Sequence, residues 1–426
     1  MMRKNSKKYF VILSILIFVE LSSGQEWTRF RGPNGQGISV AKTIPVKWTE
    51  NDYHWKVKLA GGGHSSPVLW QDIVYVTGAN TQKEIGYLQA LSITDGKELW
   101  HNKYSFSKYR INSLNSFASS TPTVNARGVY VLWPTGKEVI LEALSHKGKP
   151  LWKRTFPGIV SMHGGGTSPV IINDTVVFTL ENRAGANSPD SVWVALDAET
   201  GKDRWICRRD SPSHVSYSAP CLFPTSASAG AMKPQLVFTS KAHGFTGLDP
   251  LTGKVVWEYR PAFKQRVVSS PVIADDVILC TCGSGGYGRG LVAIRPDKND
   301  PTRTPQKVYS MAFEDMHPYV TTSLALDGFI YLFQDLGQIF CIRATTGKLH
   351  WKEKTKFKFY ASPIWIDGNI YCVTRAGEVV VIKATSEKYE LLAVNPLGEM
   401  SHSTPAVAGE RMYLKTFSHL ISIGGK

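Results

Sequence analysis

The chain has 426 residues, a formal net charge of +15, 42% hydrophobic residues and 19% charged residues. That apolar share supports a packed core, and the lack of long apolar runs or fibrous periodicity excludes multi-span membrane, collagen and coiled-coil classes. The 12 Trp, 37 Gly and 23 Pro point to turn-rich, aromatic-rich β structure.

Residues 1–24 read as a secretory signal. Arg3, Lys4, Lys7 and Lys8 form a positive start, Phe10 to Val19 an apolar run, and Ser22 and Gly24 the small residues before a cut expected ahead of Gln25. The apolar run is short for a membrane span. No Cys lies near the cut, which argues against a lipid-modified terminus. Without this segment, Lys plus Arg falls from 49 to 45 and Asp plus Glu from 34 to 33, a net charge of about +12. The expectation is a protein exported to the periplasm or beyond, with a basic surface that favours anionic ligands. No dense Lys/Arg run argues for nucleic acid.

Residues 25–47 form an N-terminal extension. Its segment WTRFRGPNGQG, Trp27 to Gly37, is turn-rich and is expected to pack on the main fold. The strand-like HWKVKL, with Trp55 to Leu59, follows.

From there the chain repeats. A small-Pro-apolar anchor recurs at Pro67, Pro122, Pro169, Pro220 and Pro271, then at Ser323, Pro363 and Pro405. The spacing averages about 48 residues, the period of propeller blades. Each anchor precedes two apolar strands, a Gly turn and an aromatic outer strand. Gly96, Gly148, Gly201, Gly253 and Gly347 each precede a Trp by four residues: Trp100, Trp152, Trp205, Trp257 and Trp351. Gly admits the positive φ of the turn, and the Trp is expected to wedge between blades with its indole N–H bonded. Two repeats, through DKNDPTRTPQKVY and SEKYELL, lack the turn. The eighth repeat ends after three strands, so the Trp55 to Leu59 strand is expected to complete it and close the ring. Residues 48–426 are therefore expected to form an all-β, eight-bladed propeller of four-stranded antiparallel blades, with seven blades as the alternative.

Two other signals are weaker. GSGGYG, Gly283 to Gly288, matches a dinucleotide-binding pattern but is followed by a strand rather than a helix. Cys207, Cys221, Cys280, Cys282, Cys341 and Cys372 fit no zinc spacing and read as buried small apolar residues, with a Cys207–Cys221 bridge left open.

The SPV anchors, the ALDAETGKDRW segment (Ala195 to Trp205) and the period together resemble the pyrroloquinoline quinone-like repeat propellers, an exported bacterial subgroup included. That resemblance spans residues 48–426 and implies either a quinone-dependent dehydrogenase or a non-catalytic assembly protein. Adjacent cysteines found in the dehydrogenases are missing here, as is the lipid-bearing Cys of the assembly lipoproteins.

Candidate site residues lie on one rim of the channel. His163, His214 and His317 stand six residues before an anchor; His64, His402, Tyr217 and Tyr360 stand three before. Loops between second and third strands add Arg183, Lys241, His243, Arg289, Arg375 and His419, a basic funnel for anions. Segments Lys103 to Phe117 and ENRAGANSPDS are expected on the same rim as a partial lid. The favoured function is a non-catalytic module that binds a protein, glycan or small anionic ligand. The alternative is a dehydrogenase using pyrroloquinoline quinone (PQQ) and calcium, with Glu181 and Asn182 as metal ligands and Asp335 as general base. A polysaccharide hydrolase or lyase ranks last, because no carboxylate pair stands out.

Overall fold

The computed structural model describes residues 27–185, 188–224, 232–285, 287–311 and 317–425; the expected signal, 1–24, lies outside the described residues. Each anchor residue opens a three-residue inner strand, from Val68–Trp70 in blade 1 to Ala406–Ala408 in blade 8. In blade 1 the remaining strands are Ile73–Asn80, Ile85–Ser92 and Glu98–Ser105, paired antiparallel in order. The same order recurs around the axis, giving eight blades among the described residues. Blade 8 is closed as its truncated repeat requires: Tyr53–Lys58 pairs antiparallel with His419–Gly424, in the register Trp55 to Ser422 and Val57 to Leu420.

The core lies between blades. One apolar cluster joins Val68, Tyr75 and Leu88 of blade 1 to Val124, Val131 and Trp133 of blade 2. Others join blades 2 and 3, 3 and 4, 4 and 5, 5 and 6, and 6 and 7 in the same way. All six cysteines are free thiols, five of them buried in these layers, so no Cys207–Cys221 bridge forms.

The Gly–Trp spacing has a geometric cause. The Trp of one blade lies on the Gly turn of the next: a Cβ on Gly201 would stand 2.6 Å from Trp152, and one on Gly148 would stand 2.7 Å from Trp100. The indole N–H then donates to a carbonyl of that next blade, as from Trp152 to Ala198 (2.9 Å) and from Trp205 to Pro250 (3.0 Å). Blade 5 lacks the Gly turn, and there Trp257 turns back to the Gln235 side chain of its own blade.

A second ring of contacts surrounds the axis. The residue before each anchor is Ser66, Thr121, Ser168, Ala219, Ser270, Thr322, Ser362 or Thr404. Its backbone N–H donates to the hydroxyl of the equivalent residue one blade on, at 2.9–3.1 Å. Seven links form in this way; Ala219 has no hydroxyl, so the link from Ser168 is missing.

Below this girdle the N-terminal segment crosses the axis. The Trp27 carbonyl accepts from Leu69 of blade 1 and the Thr28 carbonyl from Val124 of blade 2. Arg29 reaches the Pro220 carbonyl (2.8 Å), and Arg31 reaches those of Thr322 (2.6 Å) and Ser323 (2.9 Å). Ile38–Ser39 then adds a parallel fifth strand to blade 7. Phe30 faces the girdle hydroxyls, so the segment forms the floor of the channel.

Gly201 (φ +68°) carries both a left-handed backbone and the Trp152 contact, whereas Gly409 (φ +53°) has open space around it. Gly201→Ala is expected to lower unfolding free energy by about 3 kcal/mol and Gly409→Ala by about 1 kcal/mol, as read by denaturant titration. Ala219→Ser is expected to add the missing girdle link and raise stability by about 0.5–1 kcal/mol; an unchanged midpoint would mean that the link contributes nothing.

Candidate functional site

The loops that enter the inner strands leave a cup of about 420 Å³ at the open end of the channel. Its wall brings together His64, His163, Tyr217, Tyr360 and His402 of the expected rim, and adds Arg266 and Tyr319. The His64 and His402 rings stack at 4.2 Å, which places blades 1 and 8 side by side at the mouth. Tyr360 meets His402 edge-on at 4.9 Å, and the Arg375 guanidinium lies over the Tyr360 ring, 4.7 Å from its centre. Tyr217 shares a 2.7 Å hydroxyl contact with Ser161. Below the His pair, the buried Lys415 ammonium donates to the Gly63 carbonyl, and burial pushes its pKa down to about 7.

The segment after blade 1 forms a strap over one side. Asn112 to Asn115 line the cup. The Asn115 amide donates to the carbonyls of His163 (2.8 Å) and Gly165 (3.0 Å), and His402 Nδ1 meets the Leu114 carbonyl at 3.2 Å. The other expected lid segment contains residues 186 and 187, which lie outside the described residues. The hairpin tip of the GSGGYG motif contributes Gly285 to the wall.

Electrostatics differ from a simple histidine funnel. Burial holds the His64 imidazole far below its ordinary pKa and His402 at about 4, with Arg375 adding to the latter shift. His163 is lowered by burial, then by Arg266 and Arg110. These rings are therefore neutral at pH 7. The positive field comes from Arg266, with Arg110, Arg183, Lys241 and Arg375 around the mouth. Among the described residues, no Asp or Glu lines the cup.

Other expected residues go elsewhere. His214 is half-buried beside Lys241, outside the cup lining. His317 is buried, edge-on to Phe340 at 6.3 Å, and its pKa falls to about 4. His243 packs edge-on against Trp193 within the Arg209–Glu258 network. His419 meets Glu399 at 3.2 Å. Arg183 is exposed, and the Arg289 side chain lies outside the described residues.

The residues considered for quinone chemistry are engaged within the protein. Glu181 is buried, and one carboxyl oxygen accepts from the Ser216 N–H at 2.9 Å. The Asn182 side chain spans the Val160 N–H and the Asp190 carbonyl. Both Asp335 oxygens accept backbone N–H groups, from Tyr319 (2.6 Å) and Val320 (3.0 Å), while burial raises its pKa to about 7. None of the three lines the cup. Asp335 shapes the wall by holding two residues that do. Among the described residues, no group of three or more His, Cys, Asp or Glu gathers as a metal site.

Arg266 and Tyr319 escaped the sequence reading because they stand five residues before Pro271 and four before Ser323, off the positions searched. The Arg266 guanidinium donates to the Tyr319 hydroxyl at 2.8 Å. A scan for cations at every position of the entry loops would have found Arg266.

The sequence matches the PQQ_2 family, described as outer membrane protein assembly factor BamB, over residues 85–327 and 315–423. No curated protein matches in sequence. Among solved structures, a europium-containing methanol dehydrogenase superposes with a TM-score of 0.68 at 13% identity, over 91% of this chain and 89% of that one. BamB from Moraxella catarrhalis gives 0.58 at 13% identity, over 86% and 95%. Quinohemoprotein alcohol dehydrogenase from Comamonas testosteroni gives 0.60 at 14% identity, over 94% and 80%. At such identities the structures share the fold, and fold does not assign chemistry. The matched repeats and the eight-bladed ring establish that this chain belongs to the PQQ_2, BamB-like family of β-propellers.

Proposed function

We propose that this chain is an exported, non-catalytic propeller that binds a protein, glycan or small anionic ligand in the cup of its channel. One observation carries the reading: a ring-walled cup with a buried cation, Arg266, and, among the described residues, no lining carboxylate. Such a site attracts negative charge and offers apolar faces to whatever bears it. The residues best suited to catalysis spend their hydrogen bonds on backbone. Residues 1–24 support export to the periplasm or outside the cell, and the described residues contain no helix long and apolar enough to cross a membrane. The family description favours a partner on another protein, with the cup receiving a group that the partner carries.

A thermal-shift screen of carboxylates, phosphates and oligosaccharides is expected to find one class that raises Tm. Saturation at about 100 times Kd corresponds to ~2.7 kcal/mol of stabilisation. Arg266→Gln is expected to abolish the shift. Equal shifts in both proteins, or none with any class, would remove the cup from this reading. Added PQQ and calcium are expected to leave no bound chromophore and no alcohol-dependent dye reduction; turnover with both would replace the binder by a dehydrogenase.

A further inference from the structure

The cup has a neighbour on the same face. His402 of its wall also lines a groove of about 280 Å³. That groove is bounded by the loop entering blade 7, the turn from Thr374 to Glu378 of that blade, and the loop entering blade 8. Stacked side chains join the two hollows a second time. Tyr360 lines the cup, Arg375 lines the groove, and the guanidinium lies over the ring at 4.7 Å. The Arg375 N–H donates to the Lys358 carbonyl at 2.7 Å, so the turn and the entry loop are tied together.

The groove differs from the cup in its chemistry. Lys356, Lys358 and Arg375 line it against one carboxylate, Glu378, which already accepts from the Thr374 hydroxyl at 3.3 Å. Both lysines are exposed. Met400 lines the groove while 40% exposed, and Phe417 beside it is 39% exposed. The Phe417 N–H donates to the Met400 carbonyl at 3.0 Å, and its ring lies 5.6 Å from that of His64 in the cup wall. An exposed apolar pair thus links cup and groove. Met, aromatic rings and Arg are the side chains that protein interfaces concentrate, and the flexible Met thioether adapts to varied apolar partners.

Three features need covering together: the ring-walled cup, the cations of the groove and the apolar pair between them. A small anion occupies the cup and leaves the other two bare. An acidic glycan meets the lysines and brings no aliphatic or aromatic side chain to Met400 and Phe417. A flat anionic membrane meets the lysines and stays outside a concave wall whose His402 is 9% exposed. An extended polypeptide supplies all three contacts from one chain. Resting on the reading of the cup as a binding site, we propose that cup and groove form one docking site for an extended acidic segment of a partner protein. An apolar side chain enters the cup, and carboxylates lie beside Lys356, Lys358 and Arg375.

The test is a fluorescence-anisotropy titration of the purified, processed protein with a labelled synthetic peptide that carries one Phe followed by a run of Asp and Glu. The comparison probes are the same peptide with Asn and Gln for the acids, the same peptide with Gly for Phe, oligogalacturonate, and phosphatidylglycerol vesicles. The acidic Phe peptide is expected to bind at least about fivefold more tightly than either altered peptide, and to weaken as salt rises. The double variant Lys356→Gln, Lys358→Gln changes only exposed side chains. It is expected to weaken the acidic peptide about fivefold and to leave the neutral peptide unchanged. Acidic-peptide binding that the double variant leaves unchanged would overturn the groove and keep the cup. So would a failure of every peptide beside a thermal shift with a small anion. Tighter binding of oligogalacturonate or of vesicles, lost in the double variant, would put a glycan or a membrane in place of the partner protein. No binding by any probe, with no thermal shift, would overturn the cup reading as well.

Discussion

The head of every inner strand faces the same problem. Eight chain segments converge on an axis where no strand pairs with another, and their backbone N–H groups still need acceptors. Here the acceptor is a hydroxyl on the neighbouring blade, placed one residue before the anchor. The anchor proline removes the next N–H from the count and holds the residue before it extended. These two constraints fix the same backbone path in nearly every blade, which in turn points the residue two positions earlier into the mouth. The stacking of His64 on His402 follows from that repetition, since both stand three residues before their anchors on adjoining blades.

The floor depends on the same strand heads. Arg29 and Arg31 of the N-terminal segment are buried, and burial lowers their pKa values to about 10 and 9. Their charges are met by carbonyl oxygens rather than carboxylates. The turn around them has no room for substitution: a Cβ on Gly37, at φ +73°, would stand 2.6 Å from the Arg31 guanidinium. Two cations thus lie below the girdle and Arg266 above it.

The ring was legible in the sequence, and its contents were not. Blade number, strand order and closure by the N-terminal strand follow from local chemistry repeated at a fixed spacing: a small residue, a proline, a Gly turn, a Trp four residues on. Each device acts within one blade or on its neighbour, so it leaves a periodic trace. The cup wall is made of the irregular loops between those devices. Arg266 reaches it from a loop offset that no other blade uses, and Asn112 to Asn115 arrive on an excursion longer than the repeat. His317 shows the reverse error of periodic reasoning: it shares its offset with His163, yet its ring packs edge-on against Phe340. Trp27 to Gly37, read as a turn-rich packing segment, becomes a floor because its arginines find carbonyls on opposite sides of the axis.

Closure by the strand Tyr53–Lys58 has a consequence in time. Its partner strand ends some 370 residues later, His54 bonding to Gly424. A chain emerging from a ribosome or a translocon cannot complete this sheet until its last strand is free. Until then Trp55 lacks its partner strand, and the two terminal blades of the unfinished ring each keep an uncovered face. Contacts this distant in sequence form slowly, because loop closure must come before they repay it. The geometry that closes the finished ring thus leaves the unfinished chain without its last sheet until the final strand is available.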